Sequence, residues 1–196
     1  QQSSGAVAIG YQAGQGTQGF DSIAVGNNAG QTQQASGSIA VGYQAGQITQ
    51  GVNAVAIGNS AGQTQQSSGS IAIGYLTGQG TQGVNAISIG NSAGQTQQSS
   101  GSIAIGYQAG QGVQGFNSVA FGYQAGQVTQ GNNAIAIGYR AGQTQQASGT
   151  VAVGYQAGQV TQGINSVAIG YQAGQTQQAS GSIAIGYQAG QGTQGF

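Results

Sequence analysis

Glycine recurs in this chain every sixteen residues without one insertion, at Gly10, Gly26, Gly42, Gly58, Gly74, Gly90, Gly106, Gly122, Gly138, Gly154, Gly170 and Gly186. With that glycine as position 0, three further positions are invariant in all twelve units. They are a second glycine at +4 (Gly14, Gly30, onward to Gly190), Gln at +5 (Gln15, Gln31, onward to Gln191) and Gln at +8 (Gln18, Gln34, onward to Gln194). Constancy at a fixed period means that each unit meets the same neighbour above and below, which is the condition of a stacked repeat. Residues 1–196 therefore read as a single repeat array, expected to be a shaft cut from a longer repetitive chain.

Within each unit, Val or Ile at −3 and Ile, Val or Phe at −1 flank a small residue, as in Val7-Ala8-Ile9 and Val119-Ala120-Phe121. Such period-two alternation predicts strands. Helix is disfavoured, because glycine inside a helix costs about 1 kcal/mol relative to alanine and every unit holds at least two. The recurrent Gly, Asn and Ser suit tight corners with positive φ. Sixteen residues accommodate two short strands and two turns, one coil of a parallel β-solenoid (β-roll), all-β, with about twelve coils. At a spacing of ~4.8 Å per coil the predicted rod is roughly 58 Å long.

The aliphatic pairs, for example Ile39 and Val41 over Val55 and Ile57, are expected to point inward as a narrow core, with Ala at +3 (Ala13, Ala29) fitting a thin interior. Positions +6 and +10 pair large with small (Gly16 with Phe20, Ile48 with Val52, Gly112 with Phe116), which suggests shared volume. The Gln ladders are expected to hydrogen-bond from coil to coil, facing either inward or outward. All nine tyrosines occupy +1: Tyr11, Tyr43, Tyr75, Tyr107, Tyr123, Tyr139, Tyr155, Tyr171 and Tyr187, while Asn27, Asn59 and Asn91 take that slot in three early units. The row is a candidate lateral contact stripe, or a set of corner residues packing on one another.

Units come in two kinds, one like "GYQAGQGTQGFNS" and one like "GNSAGQTQQSSGS". They alternate up to Gly106, and at Gly122 a unit of the first kind follows another of its own kind. The sixteen-residue register survives this slip, so the single coil is the building unit.

Composition narrows the chemistry. Asp21 and Arg140 are the only charged side chains, so no charged surface exists to attract nucleic acid or anionic lipid. At about seven coils apart, roughly 35 Å, the two are not expected to pair. There is no His, Cys, Lys or Glu, which removes the usual general acids and bases, activated nucleophiles and metal ligands. No catalytic residue, cofactor site or metal site is expected, and the segment does not read as an enzyme. "GQGTQG" at 14–19 and 78–83 has the spacing of a dinucleotide fingerprint, but the same slot becomes "GQITQG" at 46–51, and neither a following helix nor the distal acidic residue is present. No apolar run reaches the ~18 residues of a membrane-spanning helix, so membrane insertion is not expected. A disordered Gly/Gln/Ser linker is disfavoured by the exact register of the aliphatic pairs.

"SVAIGYQAG" (166–174) and "NAIAIGYRAG" (133–142) resemble the head repeats of trimeric autotransporter adhesins of the YadA type, and the likeness extends over essentially every unit. Similar repeats occur in phage and large-virus fibre proteins. The resemblance implies a left-handed β-roll, trimeric, on an extracellular surface. A weaker likeness is to bacterial ice-nucleation repeats, which share the sixteen-residue period and A-G and T-Q elements. Thr stands at +7 in one kind of unit (Thr17, Thr49, Thr81) and at +6 in the other (Thr32, Thr64, Thr96), so a Thr row is expected to be broken at alternate coils. The small-residue face of Ser22, Ala24, Ser38 and Ala40 is the remaining ice-binding candidate.

The expected function is thus that of a structural component of an extracellular fibre, on a cell surface or a virion, with an adhesive role. The alternative is an ice-binding or ice-nucleating solenoid. The expected partner is the chain itself, by axial stacking of open coil ends or as a homotrimer or filament; a receptor is not identifiable from the residues.

Overall fold

A computed structural model describes residues 1–194. Among these residues there is no helix, and each coil contributes one three-residue strand over −3 to −1 and one two-residue strand at +7 and +8, as in Val7–Ile9 and Thr17–Gln18. The fold is a parallel β-solenoid with coils sixteen residues apart. The chain forms two compact units, Gln1–Gly101 and Ser102–Phe196.

In the first unit the three-residue strands pair in parallel at one-coil offset, Ala8 with Ala24 and Ala24 with Ala40, while the two-residue strands place Gln18 on Gln34 and Gln34 on Gln50. The second unit repeats this register, with Ala104 on Ala120, Ala120 on Ala136, and Gln114 on Gln130. Corners are made by left-handed residues at +2 and +11, such as Gln44 (φ 54°) and Asn53 (φ 57°).

The interior reverses one expectation. Ala at −2 and +3 is buried, whereas the Val and Ile at −3 and −1 lie on the outer side of the three-residue sheet. Alternation assigns residues to two faces without saying which is inner. What decides it is the Gln at +8, fully buried from Gln18 to Gln178. Gln50 reaches across the coil from one sheet to the other, donating Nε2 to the carbonyl of Ile39 at 3.0 Å. The interior is therefore one glutamine side chain thick, and only alanine, serine or threonine fits opposite.

The invariant glycine at +4 follows from the same amide. A Cβ on Gly46, whose φ is +49°, would overlap the Gln50 carboxamide, so +4 must be bare for +8 to fold inward. The +6 and +10 side chains share no interior volume, since Ile48 and Val52 are both exposed.

The two kinds of coil alternate because their outer corners interlock. Asn85 at +11 fills the space above Gly69, where a Cβ would overlap its Oδ1. At +10 the Val84 amide donates to Ser100 Oγ of the next coil at 3.2 Å. Where the alternation slips, Asn132 takes the place of that serine, and its Oδ1 accepts the Phe116 amide at 2.9 Å.

Candidate interaction faces

Four rows of side chains run along the coils, and each follows from a position in the repeat. The inner row is the +8 glutamine ladder. In the first unit Gln18 donates to Gln34 (2.9 Å), Gln34 to Gln50 (2.8 Å), Gln50 to Gln66 and Gln66 to Gln82 (2.9 Å each). In the second, Gln130 donates to Gln146 and Gln146 to Gln162, at 2.8 and 2.9 Å. Each amide also donates to the −3 carbonyl of its own coil, so both N–H groups are used. Serine at −4 in Ser22, Ser38 and Ser70 closes the corner by donating to a carbonyl three residues earlier.

An outer row is formed by Gln at +5, with donors pointing the opposite way along the chain. Gln47 donates to Gln31 (3.0 Å), Gln63 to Gln47 (3.1 Å) and Gln79 to Gln63 (2.9 Å). Several of these amides spend their second N–H on the +2 residue of the preceding coil, as Gln31 does on Gln12 and Gln63 on Gln44. The predicted ladders therefore both form, one inside and one outside. Of the ladder residues singled out from the sequence, Gln31 joins the outer row, accepting from Gln47 and donating to Gln15. Gln18 and Gln34 start the inner row. Gly14 and Gly30 bare the floor for those two amides, and Gly10 and Gly26 stack with no room for a Cβ between coils.

The third row is tyrosine. In the second unit Tyr107, Tyr123, Tyr139, Tyr155, Tyr171 and Tyr187 stack face to face, with centroids 5.0–5.2 Å apart and planes within 11°. In the first unit Asn27 and Asn59 separate Tyr11, Tyr43 and Tyr75, and the register holds those rings two coils apart. The stacked rings spend their faces on one another and turn edges and hydroxyls outward. Arg140 lies beside this row, its Cζ 5.2 Å from the Tyr139 centroid and its Nε donating to Gln124 Oε1 at 2.9 Å.

The fourth row is the aliphatic outer face of the three-residue sheet. Phe121 is 51% exposed, and Ile57, Ile137 and Ile169 are exposed to nearly 40%. Two large apolar side chains per coil, repeated over six coils in each unit, make a contiguous strip of the kind that a solitary soluble chain rarely leaves bare. On the opposite sheet the outward +7 residues alternate, Thr17 on Gln33 and Thr49 on Gln65, so threonine does not form an unbroken row there.

The YadA head domain repeat matches in two copies, at residues 114–141 and 160–174. These two stretches are similar to the head repeats of YadA-type adhesins. Both matched stretches lie in the second unit. In the first matched stretch, Ser118 and Ala120 face inward, with Ser118 Oγ donating to the Gly115 carbonyl at 2.9 Å, while Val119 and Phe121 face outward. No curated protein and no solved structure matches the chain.

Proposed function

We propose that the chain is a segment of a cell-surface fibre, with an adhesin-like structural role, in which three copies pack through the outward Val/Ile strips. The observation that carries this reading is the strip itself. Burying apolar surface returns roughly 25 cal/mol per Å², and the strip faces away from its own coil's interior, so only a partner can bury it. A flat, regular, uncharged strip favours an identical strip, and closed symmetric assemblies are the common outcome for such surfaces. The likeness to YadA heads supports three as the number and an extracellular surface as the place. The tyrosine row at the neighbouring corner then forms a lateral rim, where ring edges and hydroxyls meet the adjoining copy.

Sedimentation equilibrium of the full chain tests the assembly. Three times the chain mass, independent of loading concentration in the micromolar range, is the expected result. Ile137→Asp, which places a charge on the strip without touching the interior, is expected to yield folded monomers. A wild-type monomer at all concentrations, or end-to-end polymers that survive Ile137→Asp, would overturn the trimer.

A further inference from the structure

We propose that the outer surface around Gly80 is a binding site for a neutral saccharide unit, such as a terminal hexopyranose of a glycan. A recess of about 390 Å³ opens there, lined by Gln63, Thr64, Gln79, Gly80, Gln95 and Thr96. It arises from position +6, which carries Thr64, Gly80 and Thr96 in three successive coils, so that a bare glycine lies between two threonines. The volume is within the range of small-ligand sites.

The polar groups at this recess have capacity to spare. Gln63 uses both amide N–H groups, on Gln44 and Gln47. Gln79 uses one, on Gln63, because Ser60 occupies the +2 slot from which a glutamine would accept the second. Ser60 Oγ instead donates to Asn59 Oδ1. The Gln79 carbonyl accepts one bond, from Gln95, and keeps a second lone pair. The Thr64 and Thr96 hydroxyls stand exposed on either side, with no hydrogen bond among the described residues. Donors and acceptors are thus interleaved at coil spacing, with no charge and no large apolar side chain in the lining. That chemistry excludes anions, cations and hydrophobes as preferred ligands, and it matches vicinal hydroxyls and an acetamido group, which donate and accept in turn.

The repeat contains the same site plugged. At +6 of an earlier coil, Ile48 stands between Thr32 and Thr64, flanked by Gln31, Gln47 and Gln63. Gln47 also donates one bond along the row, to Gln31. Ile48→Gly is therefore expected to open a second recess of the same lining.

The proposal supplies a ligand for the adhesive part of the fibre reading and rests on it for context only. The full chain is titrated with methyl glucopyranoside, methyl galactopyranoside and N-acetylglucosamine, with saturation-transfer NMR and calorimetry as readouts. Binding of at least one is expected, weakened about tenfold or more by the Thr64→Val/Thr96→Val pair and by Gln79→Ala, as for the loss of one or two hydrogen bonds. Ile48→Gly is expected to raise the stoichiometry from one to two. A Cβ on Gly80 would overlap the Thr96 carbonyl, so filling that residue directly is a poorer test than the outward threonines. No binding of any of the three sugars, or binding indifferent to the threonine pair in a folded variant, overturns the site. Ile137→Asp is titrated in parallel: equal binding by that variant keeps the site whether or not the trimer stands.

Discussion

Gln50 donates its Nε2 to Oε1 of Gln66 at 2.9 Å, with both side chains 1% exposed. An isolated carboxamide taken from water into an apolar interior costs several kcal/mol, and a fully bonded one costs little. The ladder works because each member satisfies the next. Replacing Gln66 by Leu leaves three groups without their partner: one Gln50 N–H, the Gln82 Oε1 and the Val55 carbonyl. At about 1–3 kcal/mol per orphaned group, a loss of at least ~3 kcal/mol is expected from urea denaturation. A loss under ~1 kcal/mol would show that the solenoid does not depend on the ladder.

Gln66→Glu converts the same position into a pH probe. The wild-type chain has one Asp, one Arg and no His, so its stability is expected to be nearly flat between about pH 5 and 9. Burial raises the folded-state pKa of the introduced carboxyl above its unfolded value of about 4.3. A raised folded pKa gives a variant most stable below the unfolded value, with stability falling as pH rises through the window between the two. Melting temperature against pH, for both proteins, checks the sign. A variant as flat as wild type would mean that the carboxylate escapes to water.

The period, the three-residue strand and the two Gln ladders were legible in the residues, because each is a constraint that repeats, whereas the two-residue strand at +7 and +8 was not placed and the +2 corner falls mostly on residues such as Gln12 and Gln44 rather than on Gly, Asn or Ser. The direction of the strip was not legible either. Placing Ile39 and Val41 in the core fails for a specific reason: both are larger than Ala40 and so look like core, yet the interior was already claimed by Gln50. The invariance of Gln at +8 together with Gly at +4 was the available signal, since a residue that must be Gln and a residue that must lack a side chain, four apart, point to one packed against the other. The recess at Gly80 was less visible still. Its spare donor on Gln79 depends on Ser60, nineteen residues earlier, failing to accept a hydrogen bond, a relation that appears only once the coils are stacked.

Gly62→Ala tests the pairing of +4 with +8. The residue has φ +52°, where an L side chain costs roughly 1–2 kcal/mol, and its Cβ would also overlap the Gln66 amide. Differential scanning calorimetry is expected to show a much lower melting temperature than for Gln65→Ala, whose side chain is exposed. Equal effects of the two substitutions would refute the packing argument.

Arg140 interrupts an otherwise repeated outer row. Gln124 donates to Gln108 and Gln172 to Gln156, whereas a guanidinium has donors only and offers Gln156 nothing to bond. Arg140→Gln is expected to extend the row and to stabilise the second unit by no more than ~0.5 kcal/mol, one hydrogen bond being gained and the contact over Tyr139 lost. Denaturation midpoints decide it, and a destabilised variant would give the greater weight to the cation over the ring.

The tyrosine row separates the two units spectroscopically. Six rings stacked 5.0–5.2 Å apart in the second unit are close enough for their transitions to couple, and the rings of the first unit are held apart by asparagines. Tyr139→Ala removes two of the five stacks, those with Tyr123 and Tyr155, and is expected to cut the coupled near-ultraviolet circular dichroism and to cost ~1–3 kcal/mol. Asn59→Tyr is the converse experiment: it places a ring between Tyr43 and Tyr75, at the same repeat position, and is expected to add coupled signal and stability. If Asn59→Tyr adds only the signal of one isolated tyrosine, the stacking in the second unit depends on more than the register, and the Gln residues at +2 beside its rings become the next positions to change.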